Sequence, residues 1–486
     1  MIDPNFLDFD WLNKIKEFFL QFNDEVIIFS AVILAIGIAQ NIFYLLQVVW
    51  AAQQLFYEKT QKSSESNWWL VSSDITVPIS IIIPAYNEEI TITNTVISVL
   101  STKYPSFEVL VINDGSKDKT LEVLISEFDL VRSERFYEKT LEHKEIRGIY
   151  TTKIYPNLAV IDKENGGRAD ALNAGITLSR HPLFCTIDAD SLLDPSALLK
   201  AVQPFIDKPD TMVASGGTIQ ISNGCRVENG VVKKVVMPKK LLPMIQVVEY
   251  VRAFLVGRLA WSRTKMVMII AGAFAVFKRD VVVEVGGFAH NTIGEDFELV
   301  VKIHEYLLRN KRKYDMEFVP SPVCWTEVPE TLKVLAGQRI RWHQGCLETF
   351  FRYIKMFGNP RYGRIGFIGM PLIFFFDILE PILELIGYIL IPIYYTIGVL
   401  NVNFVIAFLF LFFAFGIFIS TLVLFLQEVS TKHFKSTTSL TRMAFLVLIE
   451  NFGYRQLNNY WRLIGLWRFL RKKQSWGESK RIGVNK

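Results

Sequence analysis

Apolar positions along this chain form two kinds of run. One kind is long: Val26 to Ala51 (VIIFSAVILAIGIAQNIFYLLQVVWA) carries no charge. At about 1.5 Å per residue, a helix of that length crosses a hydrocarbon layer of about 30 Å. Two further long apolar stretches lie at 368–398 and 403–427. The other kind is short and rich in β-branched residues, and it recurs between residues 73 and 345 as ISIIIPAYNE, EVLVINDGS, LAVIDKENGG and LFCTIDADS. Strands alternating with helical stretches at this spacing predict a mainly parallel α/β sheet. All four runs end in polar or glycine-rich residues, and ligands of such sheets bind beyond the carboxyl ends of the strands.

Composition places this sheet beside a membrane. Of the 486 residues, 51% are hydrophobic, and mean hydropathy is +0.27, too apolar for an ordinary soluble chain. Acids outnumber bases before the first long run, and Lys59 and Lys62 follow it. The positive-inside bias therefore puts residues 1–25 outside, 26–51 across the bilayer and the 73–345 domain in the cytoplasm. Residues 346–367 mix basic and aromatic side chains and suit an interfacial helix. Segment 441–470 reads as either interfacial or spanning, because its second half carries Arg455, Arg462 and Arg468, and 471–486 is a basic cytoplasmic tail. The expectation is a multi-pass protein of the cell membrane. The first residues lack the charged and apolar regions of a cleavable signal. A net charge of +5 gives no footprint for nucleic acid. Cys185, Cys225, Cys324 and Cys346 form no CxxC pair, and read as free thiols rather than a zinc or redox site.

The polar strand ends carry the candidate chemistry. Asp188 and Asp190 (TIDADS) are spaced to reach one hard divalent cation, Mg2+ or Mn2+, which usually also holds substrate phosphates; a solvated turn has the same pattern. Tyr86 and Glu88 (PAYNEE) and Asp114 (NDGS) end two other strands, where an acid receives a ribose or base edge or simply caps a helix. KENGGRADALNAG joins a Gly-Gly turn and a helix start to two cations, Lys163 and Arg168, which makes a diphosphate site or a plain glycine turn. In GQRIRWHQG, Gln338, Arg341 and Trp342 share one helical face, suited to a leaving diphosphate and a sugar ring, while Arg339 and Arg341 equally suit lipid headgroups. IGEDFEL gathers Glu295, Asp296 and Glu298, either a catalytic base or an acidic helix start. Asp377, Glu380 and Glu384 (DILEPILE) fall on one helical face within an apolar segment; acids there commonly face a cavity, and Glu380 and Glu384 are candidates to line a channel.

Taken in order, PAYNE, NDGS, GGRADALN, DAD, AGAF, GED and QRIRW resemble the membrane-integrated, processive family 2 glycosyltransferases. That group includes the synthases of cellulose, chitin, hyaluronan and poly-N-acetylglucosamine. The resemblance implies a GT-A (Rossmann-like) fold set between N-terminal and C-terminal transmembrane helices. It implies a UDP-sugar donor, UDP-GlcNAc or UDP-glucose, and an inverting, metal-dependent transfer that builds and exports a β-linked polymer. Carried over by motif, Asp114 meets the uridine, and Asp188 and Asp190 the metal and diphosphate. Asp296 is the general base with Glu295 as the neighbour that positions it, Gln338, Arg341 and Trp342 bind the donor, and Gly272, Ala273 and Phe274 border the acceptor. Glu298 is expected on the helix surface. Two positions depart from the pattern. Gly294 stands where the family often has Thr, and Arg168 where it often has Lys. The other readings are a single-addition transferase on a lipid-linked acceptor and an inactive transporter or scaffold. A homo-oligomer or an export partner subunit is expected to complete the exit path.

Overall fold

The computed structural model describes residues 23–61, 76–396, 402–431 and 445–472, with positions 14, 17 and 21 before them. The expected N-terminal segment 1–25 and basic tail 471–486 lie almost wholly outside the described residues. The short apolar runs become β1 (Ile79–Ala85) and β2 (Phe107–Asn113), then β3 (Val131–Ser133) and β4 (Ile146–Thr151), then β5 (Leu158–Lys163) and β6 (Leu183–Ile187). After them come β7 (Leu192–Leu193), β8 (Met212–Ile221), a separate hairpin of β9 (Arg226–Glu228) and β10 (Val231–Lys234), then β11 (Phe274–Lys278) and β12 (Asp315–Thr326). The main sheet runs β3-β4-β5-β2-β1-β6-β11-β8-β12-β7. Its centre, β5-β2-β1-β6, is parallel, while β4, β11 and β7 join antiparallel. The sheet is therefore mixed rather than mainly parallel, in part because β4 returns from β3 with no helix between them. Strand order reverses around β1, and such a switch point opens a crevice beyond the strand ends.

Alternation along the strands fills two cores. Ile79, Ile81 and Ile83 join helices 92–100 and 197–207 on one face. Ile82, Leu110 and Ile112 join α2 (Arg168–Leu178) and α5 (Glu295–Arg309) on the other. Side chains of period two buried on both faces are what a covered central sheet requires.

Outside this sheet, α1 (Asn23–Gln61) contains Ser30–Tyr57, the one α-helix among the described residues that is long and apolar enough to cross a membrane. The stretches 363–396 and 402–431 are helical throughout. The π-type turns Ile373–Leu379 and Phe410–Ala414 interrupt them, leaving α7 (Glu380–Thr396) and α8 (Phe415–Thr431) at 17 residues each. Two short helices, α3 (Leu241–Tyr250) and α4 (Leu259–Arg263), flank a further π-type segment, Val251–Arg258. Its Val251 and Leu255 pack against Val48 of α1 and Val423 of α8, while Phe254 enters the sheet core. The boundary expected at residue 345 falls inside α6 (Leu332–Arg352), and 3-10 turns follow in place of a continued interfacial helix. The chain then breaks at Phe452–Gly453, and α9 (Arg455–Leu470) lies along α6. There Phe469 stacks on Phe351 at 5.4 Å, and Gly465 approaches so closely that a Cβ would stand 3.0 Å from the Ile340 carbonyl oxygen.

Candidate active site

The ends of β1, β2 and β5 are laced together. Asn87, at φ 56°, takes the Lys117 amide on its side-chain oxygen at 2.8 Å, and the Glu88 amide donates to Thr120 at 2.9 Å. Tyr86 stays 42% exposed at the cavity. Asp114 is buried, and its carboxylate accepts from Lys163 Nζ (2.6 Å) and from the amides of Gly166 (3.0 Å) and Gly167 (2.8 Å). Lys163 is wholly buried and also pairs with Asp170 at 2.5 Å. Groups read from the sequence as nucleotide and diphosphate contacts thus engage one another. They fix the loop that brings Asn165, Gly166 and Arg168 to the cavity wall, where Lys144, unremarked in the sequence, is the lysine present.

Arg168 is the hub of the site. Nη2 donates to Asp188 Oδ1 (2.8 Å) and to the Gly272 carbonyl oxygen (3.0 Å), and Nη1 to Glu295 Oε1 (2.5 Å). Burial opposes its charge, but Asp188, Glu295 and Asp296 outweigh that and hold it firmly protonated. Gly272 is glycine for a reason of space, since a Cβ there would lie 2.5 Å from Arg168 Nη2. Its amide donates to Asp296 Oδ2 at 3.1 Å, which ties the GED acid directly to the AGAF loop. Ala273 also faces the cavity, whereas Phe274 is fully buried in the sheet core.

The three acids of IGEDFEL have separate environments. Asp296 opens onto the cavity. Glu295 is 5% exposed; burial pushes its carboxyl above the usual range while Arg168 pulls it down. Glu298 is not a surface residue: it is buried, accepts from the Tyr353 hydroxyl at 2.7 Å, and pairs with Lys302 at 3.2 Å. An acidic helix start alone would leave these carboxylates in water; here two of the three are packed into fixed partners.

Asp190 is buried at the end of β6, with the Thr326 hydroxyl 3.4 Å from Oδ1. Among the described residues, no three His, Cys, Asp or Glu side chains converge as a self-sufficient metal site. Asp188, Asp190 and a hydroxyl are hard oxygen donors. They suit Mg2+ or Mn2+ completed by phosphate oxygens, not a soft thiolate-bound ion.

Gln338, Arg341 and Trp342 line the same cavity from α6. Trp342 is 50% exposed and stacked under Arg339 at 4.4 Å, and Gln338 Oε1 is shielded from solvent without a hydrogen-bond partner. Arg339 pairs with Glu249 at 2.7 Å rather than reaching toward headgroups. The two halves of the site meet at Gly294 and Gly345. A Cβ on Gly345 would fall 2.8 Å from the Gly294 backbone, and Glu348 on α6 accepts the Ile293 amide at 2.9 Å. A side chain on either glycine would crowd the Asp296-bearing turn against the QRIRW helix, more severely at 345 than at 294.

The cavity is open to solvent, has a volume of about 1870 Å³, and is lined both by the strand ends and by the surrounding helices. There Glu380 accepts from Arg455 (3.0 Å) and Arg462 (2.9 Å), and Arg252 pairs with Glu450. Asp377 and Glu380 reach the wall; Glu384 lies behind it, 1% exposed and held by Tyr388 and Asn459. All four cysteines are free.

Residues 80–286 match the family model described as Glycosyl transferase family 2, and residues 290–483 match one described as Chitin synthase. Among curated relatives, the poly-beta-1,6-N-acetyl-D-glucosamine synthase of Staphylococcus aureus (strain COL) is 31% identical over 291 residues, covering 58% of this chain and 59% of that one. The Staphylococcus epidermidis protein of the same name is 27% identical over 310 residues, covering 63% and 64%. The match thus spans about three fifths of the relatives' length. Among solved structures, a mannosyltransferase from Pyrobaculum calidifontis in complex with GDP-Man and Mn2+ covers 91% of this chain and 100% of that one, at 19% identity and TM-score 0.49.

Proposed function

From the family 2 glycosyltransferase resemblance of residues 80–286 and the chitin synthase resemblance of 290–483, we propose that this chain is a hexosyltransferase. It builds a β-linked polysaccharide from a UDP-sugar, UDP-GlcNAc before UDP-glucose, and passes the product across the membrane. One observation carries the reading: the cavity that holds Asp188, Asp190 and Asp296 at the strand ends continues past Glu380 and Arg455 among the helices. A site for adding one sugar needs only a pocket, whereas a growing chain needs an exit.

In the reaction, the acceptor hydroxyl attacks the anomeric carbon and the bond from that carbon to the β-phosphate oxygen breaks. The hydroxyl proton passes to the Asp296 carboxylate, and UDP departs with the bonding pair. A sugar hydroxyl is a weak nucleophile, so a base within hydrogen-bonding reach contributes about 10²–10⁴ in rate. The Gly272 amide fixes Asp296 Oδ2, leaving the carboxylate oriented before substrate arrives. Asp188 and Asp190 would hold Mg2+ or Mn2+, which supplies charge neutralisation at the departing diphosphate. Gln338, Arg341 and Trp342 cover the donor from α6. Direct displacement by one base converts an α-linked donor into a β-linked product.

The test uses the purified chain in lipid vesicles with Mg2+ or Mn2+, each UDP-sugar in turn, and mass spectrometry of the product. A ladder of β-linked oligomers from one donor is the expected result. A single added sugar would replace synthesis of a polymer by single addition. No UDP release with any donor would return the chain to the scaffold reading.

A further inference from the structure

Arg258 differs from five other arginines of this cavity. Arg168 pairs with Asp188 and Glu295, Arg339 with Glu249, Arg252 with Glu450, and Arg455 and Arg462 with Glu380. Arg258 Nη1 is closed off from solvent and has no hydrogen-bond partner, and its guanidinium lies 3.7 Å above the Phe254 ring. A desolvated cation resting on an aromatic face with an unmet donor is costly to the fold. That cost implies a partner the protein itself does not provide.

Its position narrows the partner. Arg258 ends the π-type segment wedged between the sheet and helices α1 and α8. π-type turns commonly occur at functional sites. One turn on, Trp261 meets Phe43 of α1 edge to face at 6.0 Å, and it lines the same cavity as Arg258 and Asp296. The donor diphosphate belongs at Asp188 and Asp190, on the strand ends. Arg258 stands instead where the cavity leaves the sheet for the helices. Burial lowers its guanidinium to about 10, with Asp296 the carboxylate whose field opposes the fall, so it stays charged at neutral pH.

We propose that Arg258 is an acceptor-binding residue, donating hydrogen bonds to the hydroxyl or acyl oxygens of the sugar whose free hydroxyl faces Asp296. This rests on the glycosyltransferase reading above. Phe254 covers the guanidinium on one side, and the side chain lines the cavity that also holds Asp296. An uncharged sugar satisfies those donors without the desolvation that a second ion would bring.

The experiment compares wild type, Arg258→Met and Arg258→Lys as full-length protein in lipid vesicles. The rate is titrated separately with UDP-GlcNAc and with a β-linked N-acetylglucosamine oligosaccharide. For Arg258→Met, the oligosaccharide KM rises about tenfold or more, the size of one lost charged hydrogen bond. The UDP-GlcNAc KM holds within about twofold, and Arg258→Lys recovers part of the loss. The melting temperature of Arg258→Met equals or exceeds wild type, since a buried unpaired cation has gone. An unchanged oligosaccharide KM overturns the assignment. So does a rise in the UDP-GlcNAc KM, which would make Arg258 a diphosphate contact, or a lower melting temperature with UDP affinity lost, which would make it structural. No transfer by wild type from any UDP-sugar overturns the proposed function and this inference together; transfer by wild type with unaltered variants overturns only the inference.

Discussion

Asp296 and Glu295 are adjacent on one helical turn, yet their surroundings differ. Glu295 accepts from Arg168, whereas Asp296 takes the Gly272 amide on Oδ2 and the Phe297 amide on Oδ1 and lines the cavity. Replacing Asp296 with Asn keeps the shape and removes the basicity. Asp296→Asn should lower transfer about 10²–10⁴-fold while leaving UDP affinity unaltered, because the group acts in the transition state; coupled UDP-release assays and calorimetry check both parts. The order GED…QRIRW in the sequence is what points to Asp296 as the candidate base. The burial of Lys163 and Glu298 could not be read the same way. Each partner, Asp114 and Asp170 for the one and Tyr353 for the other, is brought in by tertiary packing, and a lysine or glutamate in sequence looks the same whether buried or solvated.

At the scale of elements, the contact between the Asp296-bearing turn and α6 decides most. Gly345→Ala gains helix propensity of about 1 kcal/mol. It also drives a methyl group to 2.8 Å from the Gly294 backbone, which cannot rotate away. Overpacking of that kind costs about 1–3 kcal/mol, so the variant should melt lower and lose transfer more than donor binding. A thermal melt beside a kcat–KM comparison tests it. α5 carries a second, pH-dependent prediction. Burial lowers His304 to about 4; Nε2–H donates to the Val267 carbonyl at 2.7 Å, which leaves Nδ1 to accept from Tyr314. The unfolded imidazole takes up its proton as pH falls through about 6.5, while the folded one resists. Stability is therefore complete above about pH 6.5 and falls below it, by up to about 1.4 kcal/mol per pH unit for this group. His343, pushed by burial to about 3, acts in the same direction. Melting temperatures across pH 7.5 to 5 should fall for wild type and fall less steeply for His304→Gln, in which His343 remains. The helical face of QRIRW was evident from its spacing. The division of 368–398 and 403–427 by π-type turns was not, since apolar composition records burial and not the register of backbone hydrogen bonds.

For the whole molecule, one cavity joins a sheet to a set of helices, and the charges along its far part are paired acid to base. Glu380→Ala would leave Arg455 and Arg462 without their shared carboxylate. In sealed vesicles, it should reduce polymer delivered to the far side more than UDP released on the near side; equal delivery would remove Glu380 from the exit path. That the strand-end motifs gather at one place was legible because each motif is local. The continuity of the cavity was not, because its wall is assembled from α1, the 251–258 segment, α6, α7 and α9, which are far apart in the chain. The Gly294–Gly345 contact has a use beyond this protein. A Cβ at residue 294 would stand 3.1 Å from the Gly345 backbone, so a side chain there obliges the helix to give by a few tenths of an ångström. A relative with Thr at that position therefore holds its QRIRW-type helix slightly further from the acid-bearing turn. One letter of sequence then reports whether the two are clasped backbone to backbone, as here, or eased apart.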